Sequence, residues 1–178
     1  MSATIKDYLD RARHLDLDTF VAQYPSPVLI HCARSQSLAP RDEYGSTLRM
    51  RIDPDSKEFR IETRPPAPMD QVETLVKSDR NSFASKILVG RTETNDLVVS
   101  HMTVSKHHAF FTFDPDNQAA SLTDTGSTNG TLVNGQELSA RDSRELSDGD
   151  QVAFGDIEFV YYSAAGLYEL LNSLSALR

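Results

Sequence analysis

Between Val72 and Tyr162 the chain passes through eight short apolar or alternating segments separated by turn residues, and no other feature limits its fold as strongly. They are Val72 to Val76, Lys86 to Val89, Asp96 to Val99, Ala109 to Phe113, Ser121 to Thr123, Thr131 to Val133, Gln151 to Phe154 and Ile157 to Tyr162. Asn129-Gly130, Asn134-Gly135 and Asp148-Gly149 punctuate them, and such pairs suit turns that need positive φ. Many short strands with regular turns predict an antiparallel sandwich or barrel.

The flanks read differently. Ile5, Tyr8, Leu9, Ala12 and Leu15 fall on one face of an amphipathic helix that Thr4 and Asp7 would open as a capping box. A second short helix is expected after Asp18 and before Pro25. Val28 to Ala33 is apolar and strand-like, and Arg34 to Gly45 is a polar loop interrupted by Pro40. Thr47 to Ile52 and Phe59 to Thr63 alternate around the turn residues Asp53-Pro54-Asp55-Ser56, which predicts a hairpin. Arg64-Pro65-Pro66-Ala67-Pro68 reads as a stiff linker. Three units follow: a helix-plus-hairpin appendage over 1–65, a sandwich over 70–163 and an amphipathic C-terminal helix over 164–178. That last helix carries a stripe of Leu167, Leu170, Leu171, Leu174 and Leu177. Helices of this length are marginal without packing, so both terminal stripes must be covered. Packing within the monomer is the expectation, and a homodimer through the terminal helices is the alternative.

Charge narrows the function. The net charge is −8, and residues 66–163 hold seven basic against fifteen acidic residues while the flanks balance. That argues against nucleic acid, whose binding needs a basic face. It also means that any anion site is built locally, against the overall field. No apolar run approaches the roughly 18–20 residues that cross a bilayer. The first ten residues break every apolar run with a charge, unlike a signal peptide. A cytoplasmic protein without a membrane partner is expected. Cys32, the sole cysteine, reads as a small buried hydrophobe. The five histidines show no ligand spacing, so neither a metal nor a cofactor is expected.

Three polar loops carry the chemistry. Gly90-Arg91 closes one strand segment, Ser105-Lys106-His107-His108 opens another, and Asp124 to Thr131 is bracketed by Gly126 and Gly130. A phosphate ester on a protein brings about −1.5 to −2 charges and three acceptor oxygens. It calls for a cation, hydroxyl donors and free backbone N–H groups. Arg91 offers a planar fork of donors, Ser105 a hydroxyl, and Thr128 with Asn129 backbone and side-chain donors.

Together these loops resemble the signature of the forkhead-associated (FHA) family of phosphothreonine-binding β-sandwiches. The resemblance covers Asp70 to Ser163 and implies a mainly β fold of that type. It implies that Arg91 and Ser105 contact the phosphate, that Lys106 adds a contact, and that Thr128 and Asn129 support the phosphate and hold the peptide main chain. His108 would brace the loops, and Gly90, Gly130, Asn134 and Gly135 would shape turns. His101 and His107 receive no site role. The implied protein is a non-catalytic signalling adaptor that docks threonine-phosphorylated partners of a Ser/Thr kinase. The alternative is a phospho-independent scaffold or self-association module on the same fold. An enzyme has less support. Ser127, His108 and Asp124 supply the residue types of a hydrolase triad but lack a nucleophile-elbow pattern, and the Gly-rich loop lacks the P-loop lysine.

Overall fold

The computed structural model describes residues 3–31, 50–52, 59–61, 66–114 and 119–176, without the side chains of 50–52 and 59–61. Cys32, the expected loop 34–45, the turn 53–56 and Leu177 lie outside the described residues. The described hairpin pairs β3 (Met50–Ile52) with β4 (Phe59–Ile61), antiparallel, with Arg51 opposite Arg60.

Two further sheets form the body. The seven-stranded sheet runs β1 (Ala3–Thr4), β5 (Gln71–Thr74), β2 (Val28–His31), β14 (Ile157–Tyr162), β13 (Gln151–Phe154), β10 (Thr131–Val133) and β11 (Gln136–Glu137). The five-stranded sheet runs β12 (Ser143–Leu146), β9 (Ala120–Asp124), β8 (Ala109–Phe113), β6 (Ile87–Gly90) and β7 (Leu97–Val98). Among the described residues every strand pair is antiparallel except β6 with β7, which is parallel, so the expected antiparallel sandwich is slightly mixed. Phe111, Leu122, Val133, Phe154, Phe159 and Tyr161 fill the space between the sheets.

The outer face of the larger sheet is also covered. Helices α1 (Ile5–Ala12), α2 (Leu17–Gln23) and α3 (Ala164–Ala176) bury Ile5, Leu9, Phe20, Leu167 and Leu171 against Val28, Ile30 and Val72. This explains why Val28-Leu29-Ile30 and Phe159-Val160-Tyr161 are apolar at every position. Leu29, Phe159 and Tyr161 face the sandwich interior, whereas Val28 and Ile30 face the helices. A strand buried on both faces has no polar side to alternate with.

That arrangement corrects the expected unit boundary at Pro65. β2 lies between β5 and β14, with Leu29 opposite both Glu73 and Tyr161, so residues before the linker complete the sandwich sheet. Without β2, the ladder edges of β5 and β14 would be left unpaired. Nor does α3 stand apart, since it packs on α1 and α2 and the Tyr168 hydroxyl donates to the Leu15 carbonyl at 2.9 Å.

Local signals set the helix starts. Thr4 caps α1 reciprocally with Asp7: the Thr4 N–H donates to Asp7 Oδ2 at 2.8 Å and the Asp7 N–H to Thr4 Oγ1 at 3.4 Å. α2 begins two residues earlier than expected because Asp16 is its cap, accepting from the Thr19 N–H at 2.8 Å. At the head of α3 the Asp148 carboxylate, from another loop, accepts from the backbone and hydroxyl of Ser163.

Leu171 is 1% exposed within the helical layer. Leu171→Ala should therefore lower the unfolding free energy by about 2–5 kcal/mol in chemical denaturation. A variant as stable as the parent would remove α3 from the packed core.

Candidate functional site

The three polar loops meet at one end of the sandwich. β6 ends at Gly90, and the Arg91 N–H donates to the Ser105 carbonyl at 2.9 Å, joining the loop after β6 to the loop before β8. Ser105 Oγ accepts from the Thr128 N–H at 3.0 Å and lies 3.4 Å from Thr128 Oγ1, which brings in the loop after β9. Asn129 Nδ2 donates to the Thr103 carbonyl at 2.8 Å. Arg91, Ser105, Thr128 and Asn129 thus belong to one cluster. Lys106 is exposed on the same loop as Ser105. Among the described residues neither Arg91 nor Lys106 has an acidic partner, so both charges are available to an anion.

His108 is the brace. It is fully buried, its ring edge-on to Phe154. Nδ1 faces the Ser105 N–H at 3.0 Å, and Nε2 faces the Gly130 carbonyl at 3.0 Å. An amide N–H can only donate and a carbonyl can only accept, which fixes the tautomer: Nδ1 carries the lone pair and Nε2 the proton. Burial lowers the pKa of this imidazole below its usual range. The bond to Gly130 and the charge of Asp124 oppose that shift without cancelling it.

Gly90 acts otherwise than expected. It sits within a strand, and it makes no turn. A Cβ there would collide with the Lys106 carbonyl and with Asn95 Nδ2, at 2.8 Å from the latter, so glycine is what lets the two loops touch. Gly130 does turn the chain, at φ +76°, and presents its carbonyl to His108. Asn134 (φ 51°) and Gly135 (φ 77°) form the two-residue turn between β10 and β11, the geometry that Asn-Gly favours. Asn134 also brackets the start of β13, donating to Asp150 Oδ1 at 2.8 Å and accepting from the Gln151 N–H at 2.9 Å. These two residues shape the far end of β10, one strand length from Thr128 and Asn129.

Two supports escaped the sequence reading. Asn95, fully buried, donates through Nδ2 to the carbonyls of Thr92 and Lys106, both at 2.8 Å, and its Oδ1 lies 3.2 Å from His107 Nδ1. Asp124 is 3% exposed and accepts four hydrogen bonds: Gly126 N–H at 2.6 Å, Ser127 N–H at 2.9 Å, Ser127 Oγ at 2.7 Å and Thr131 Oγ1 at 2.6 Å. Burial alone would raise its pKa, but the bonds from Thr131, Ser127 and Gly126 outweigh burial and hold it below the usual carboxylate range. An aspartate two residues before a glycine is a local turn signal that could have revealed Asp124. Asn95 gave none, because its Lys106 partner is remote in sequence. His101 and His107, assigned no role, bond Thr103 Oγ1 and Asn95 Oδ1 respectively. The same bonds dismantle the triad: Ser127 is tied directly to Asp124, and both nitrogens of His108 are committed elsewhere.

The buried neutral histidine has a pH consequence. With its folded pKa below the unfolded value of about 6.5, its contribution to stability is complete above that pH. It is lost as the pH falls from there through the folded pKa, because a proton on Nδ1 would confront the Ser105 N–H. Thermal melts from pH 8 downward should show a loss beginning below about 6.5 that is absent from His108→Gln. His108→Ala should lose at least about 2 kcal/mol at pH 8, through a cavity and two orphaned partners. Parallel pH profiles for His108→Gln and the parent would refute this account.

One segment of the chain matches a known family model. The FHA domain model matches residues 87–155. An ABC transporter ATP-binding/permease protein of Mycobacterium tuberculosis is 37% identical over 75 residues, which are 42% of this chain and 8% of that protein. The glycogen accumulation regulator GarA of the same species is 36% identical over 72 residues, 40% of this chain and 41% of that one. The chain thus spans less than half the length of these curated relatives. Among solved structures, the FHA domain of CT664 protein from Chlamydia trachomatis has a TM-score of 0.43 at 27% identity, covering 52% of this chain and 84% of that one. The N-terminal FHA domain of Rad53p from S. cerevisiae, solved with a phosphothreonine peptide, has a TM-score of 0.45 at 20% identity, covering 55% and 88%. The segment 87–155, which contains the hydrogen-bonded loop cluster, is similar to the FHA domain.

Proposed function

We propose that the loop cluster binds phosphothreonine peptides and that the protein is a non-catalytic adaptor in Ser/Thr-kinase signalling. The observation that carries this reading is the convergence of Arg91, which has no acidic partner among the described residues, with the Ser105 hydroxyl and the Thr128 backbone on loops locked together by a neutral histidine. In this role Arg91 and Ser105 hold the phosphate, Lys106 adds charge, and Thr128 and Asn129 support the phosphate and the peptide main chain. Charge-assisted hydrogen bonds suit a dianionic ester. The match to the FHA model supports the ligand class, and the similarity to a regulator such as GarA supports a signalling setting. No step in this function breaks a covalent bond.

Calorimetry with a phosphothreonine peptide tests the reading. Arg91→Ala and Ser105→Ala should each weaken binding by roughly ten- to a hundredfold, since a hydrogen bond to a charged group is worth about 1.5–3 kcal/mol. Both should melt near the parent temperature. Equal affinity of the parent protein for phosphorylated and unphosphorylated copies would favour the scaffold reading instead.

Phosphothreonine should also be preferred over phosphoserine. Burial of one methyl gives about 0.8 kcal/mol, roughly fourfold. Matched peptides that differ only in that methyl should show at least this ratio, and a ratio of one would remove the threonine from the proposal.

A further inference from the structure

We infer that the outer face of the five-stranded sheet around Phe83, Lys86 and Phe110 is a second docking surface. Its occupant is an acidic segment with apolar residues in the same threonine-phosphorylated partner, about four residues or more from the phosphothreonine. This rests on the function proposed above and extends the contact beyond the loop cluster.

Charge is the first observation. Residues 77–110 carry five basic residues (Lys77, Arg80, Lys86, Arg91 and Lys106) against three acidic ones (Asp79, Glu93 and Asp96). The remainder of 66–163 carries two against twelve. Lys77 and Asp96 face each other at 3.4 Å with the Asp96 side chain fully enclosed, so these two cancel. That leaves Arg80, Lys86, Arg91 and Lys106 against Asp79 and Glu93. Among the described residues Lys86 has no acidic partner, and the Arg80 guanidinium lies 3.5 Å from the Asn95 carbonyl rather than on an acid. Asn95 also holds the Lys106 carbonyl, so the Arg80 loop and the candidate site share a support.

The second observation is the apolar surface beside that charge. Ile87, Val89, Ala109 and Phe111 point into the sandwich, so Leu88 and Phe110, opposite each other in β6 and β8, point outward. The three described helices all pack on the other sheet. Lys86 Nζ lies 4.0 Å from the centre of the Phe110 ring and 5.7 Å from that of Phe83. Phe83 is 56% exposed and is the one aromatic among the exposed large apolar residues. Its N–H donates to Asn81 Oδ1 at 2.9 Å, and Asn81 Nδ2 donates to Asp96, so the ring is displayed from a braced loop. An ammonium between two rings suits a carboxylate flanked by apolar side chains. An exposed ion pair contributes little alone. Affinity therefore comes from covering the ring, while charge sets approach and orientation.

Distance ties this face to the phosphate. Lys86 precedes Gly90 by four residues along β6, about 13 Å, which an extended chain covers in about four residues. One partner chain can occupy both places. The acidic remainder of the region repels a free acidic ligand, so the cationic face gains most once the phosphate has anchored the chain nearby.

The test uses phosphothreonine peptides in a Gly/Ser background, with the block Glu-Leu-Glu-Phe starting about four residues before or about four residues after the phosphothreonine. The plain Gly/Ser phosphothreonine peptide is the reference. Affinities are read by fluorescence anisotropy for the parent, Lys86→Gln and Phe83→Ser. One of the two blocks should tighten binding to the parent by about fivefold or more, with a smaller gain at high salt. In each variant that gain should fall to within about twofold, while the melting temperature and the affinity for the plain peptide stay unchanged. If neither block helps, or if the gain survives in either variant, the assignment is overturned. It is also overturned if Phe83→Ser halves the mass of the free protein in light scattering, because the face is then an interface between copies. If the plain peptide fails to bind the parent, the function proposed above fails and takes this surface with it. If that peptide binds and the blocks do nothing, only this surface fails.

Discussion

The site depends on one imidazole being neutral and in one tautomer. His108 joins loops more than twenty residues apart in sequence, because its lone pair meets the Ser105 N–H and its single proton meets the Gly130 carbonyl. Neither partner can reverse its role. A substitute would have to accept on one side and donate on the other, at this separation and without water. Burial between the sheets supplies the second half of the requirement, since it disfavours the charged ring that would break the Ser105 bond. Packing and hydrogen bonding therefore enforce the same protonation state.

The other supports extend this logic outward. Asp124 uses its two carboxylate oxygens on three donors of its own turn and on the Thr131 hydroxyl of β10, and Asn95 uses its amide on two carbonyls. Asp96 does the same for the loop ahead of β6, accepting from the Ser78 N–H and hydroxyl, from the Leu88 N–H and from Asn81. These groups are inside the frame and satisfied, so they stiffen it without competing for ligand. Arg91 and Lys106, by contrast, are outside and have no acid to hold them among the described residues. In a region with an acidic excess, this leaves two unclaimed cations at the proposed site, on loops that are already held in place.

Much of this was legible because it rests on short-range pattern. Ala109–Phe113, Thr131–Val133, Gln151–Phe154 and Ile157–Tyr162 appear as strands at the residues expected, each bounded by a turn signal. The missed strands lack that pattern. β11 is two exposed polar residues and β12 reads Ser-Arg-Glu-Leu, and both owe their conformation to a neighbouring strand. The role of β2 was misread for a different reason. Its apolar run marks a strand buried on both faces, but nothing local says that its partners lie some forty and some hundred and thirty residues away, beyond a proline-rich linker. In the same way Arg91, Ser105 and His108 could be named from their motif, whereas Asn95 acts on residues that its own neighbourhood does not predict.

The two apolar layers divide the work along β14. Its first residue, Ile157, follows the turn that donates to Thr103, and its last, Tyr162, leads through Ser163 into α3. A six-residue strand is about 20 Å long, so the start of α3 and its Asp148 cap stand at the end opposite the loops. Phe159 and Tyr161 pack toward the loop-bearing sheet while Tyr162 packs under the helices, so β14 feels both layers at once. A cavity opened at Leu171 therefore loosens the sheet from behind without touching a group proposed to meet the ligand. The loop bonds of His108, by contrast, lie within the other layer, against Phe154. Damage to the helical layer should reach the site through the stability of β2 and β14, whereas damage at His108 reaches it through loop geometry. The same loss of global stability can thus carry very different losses of binding.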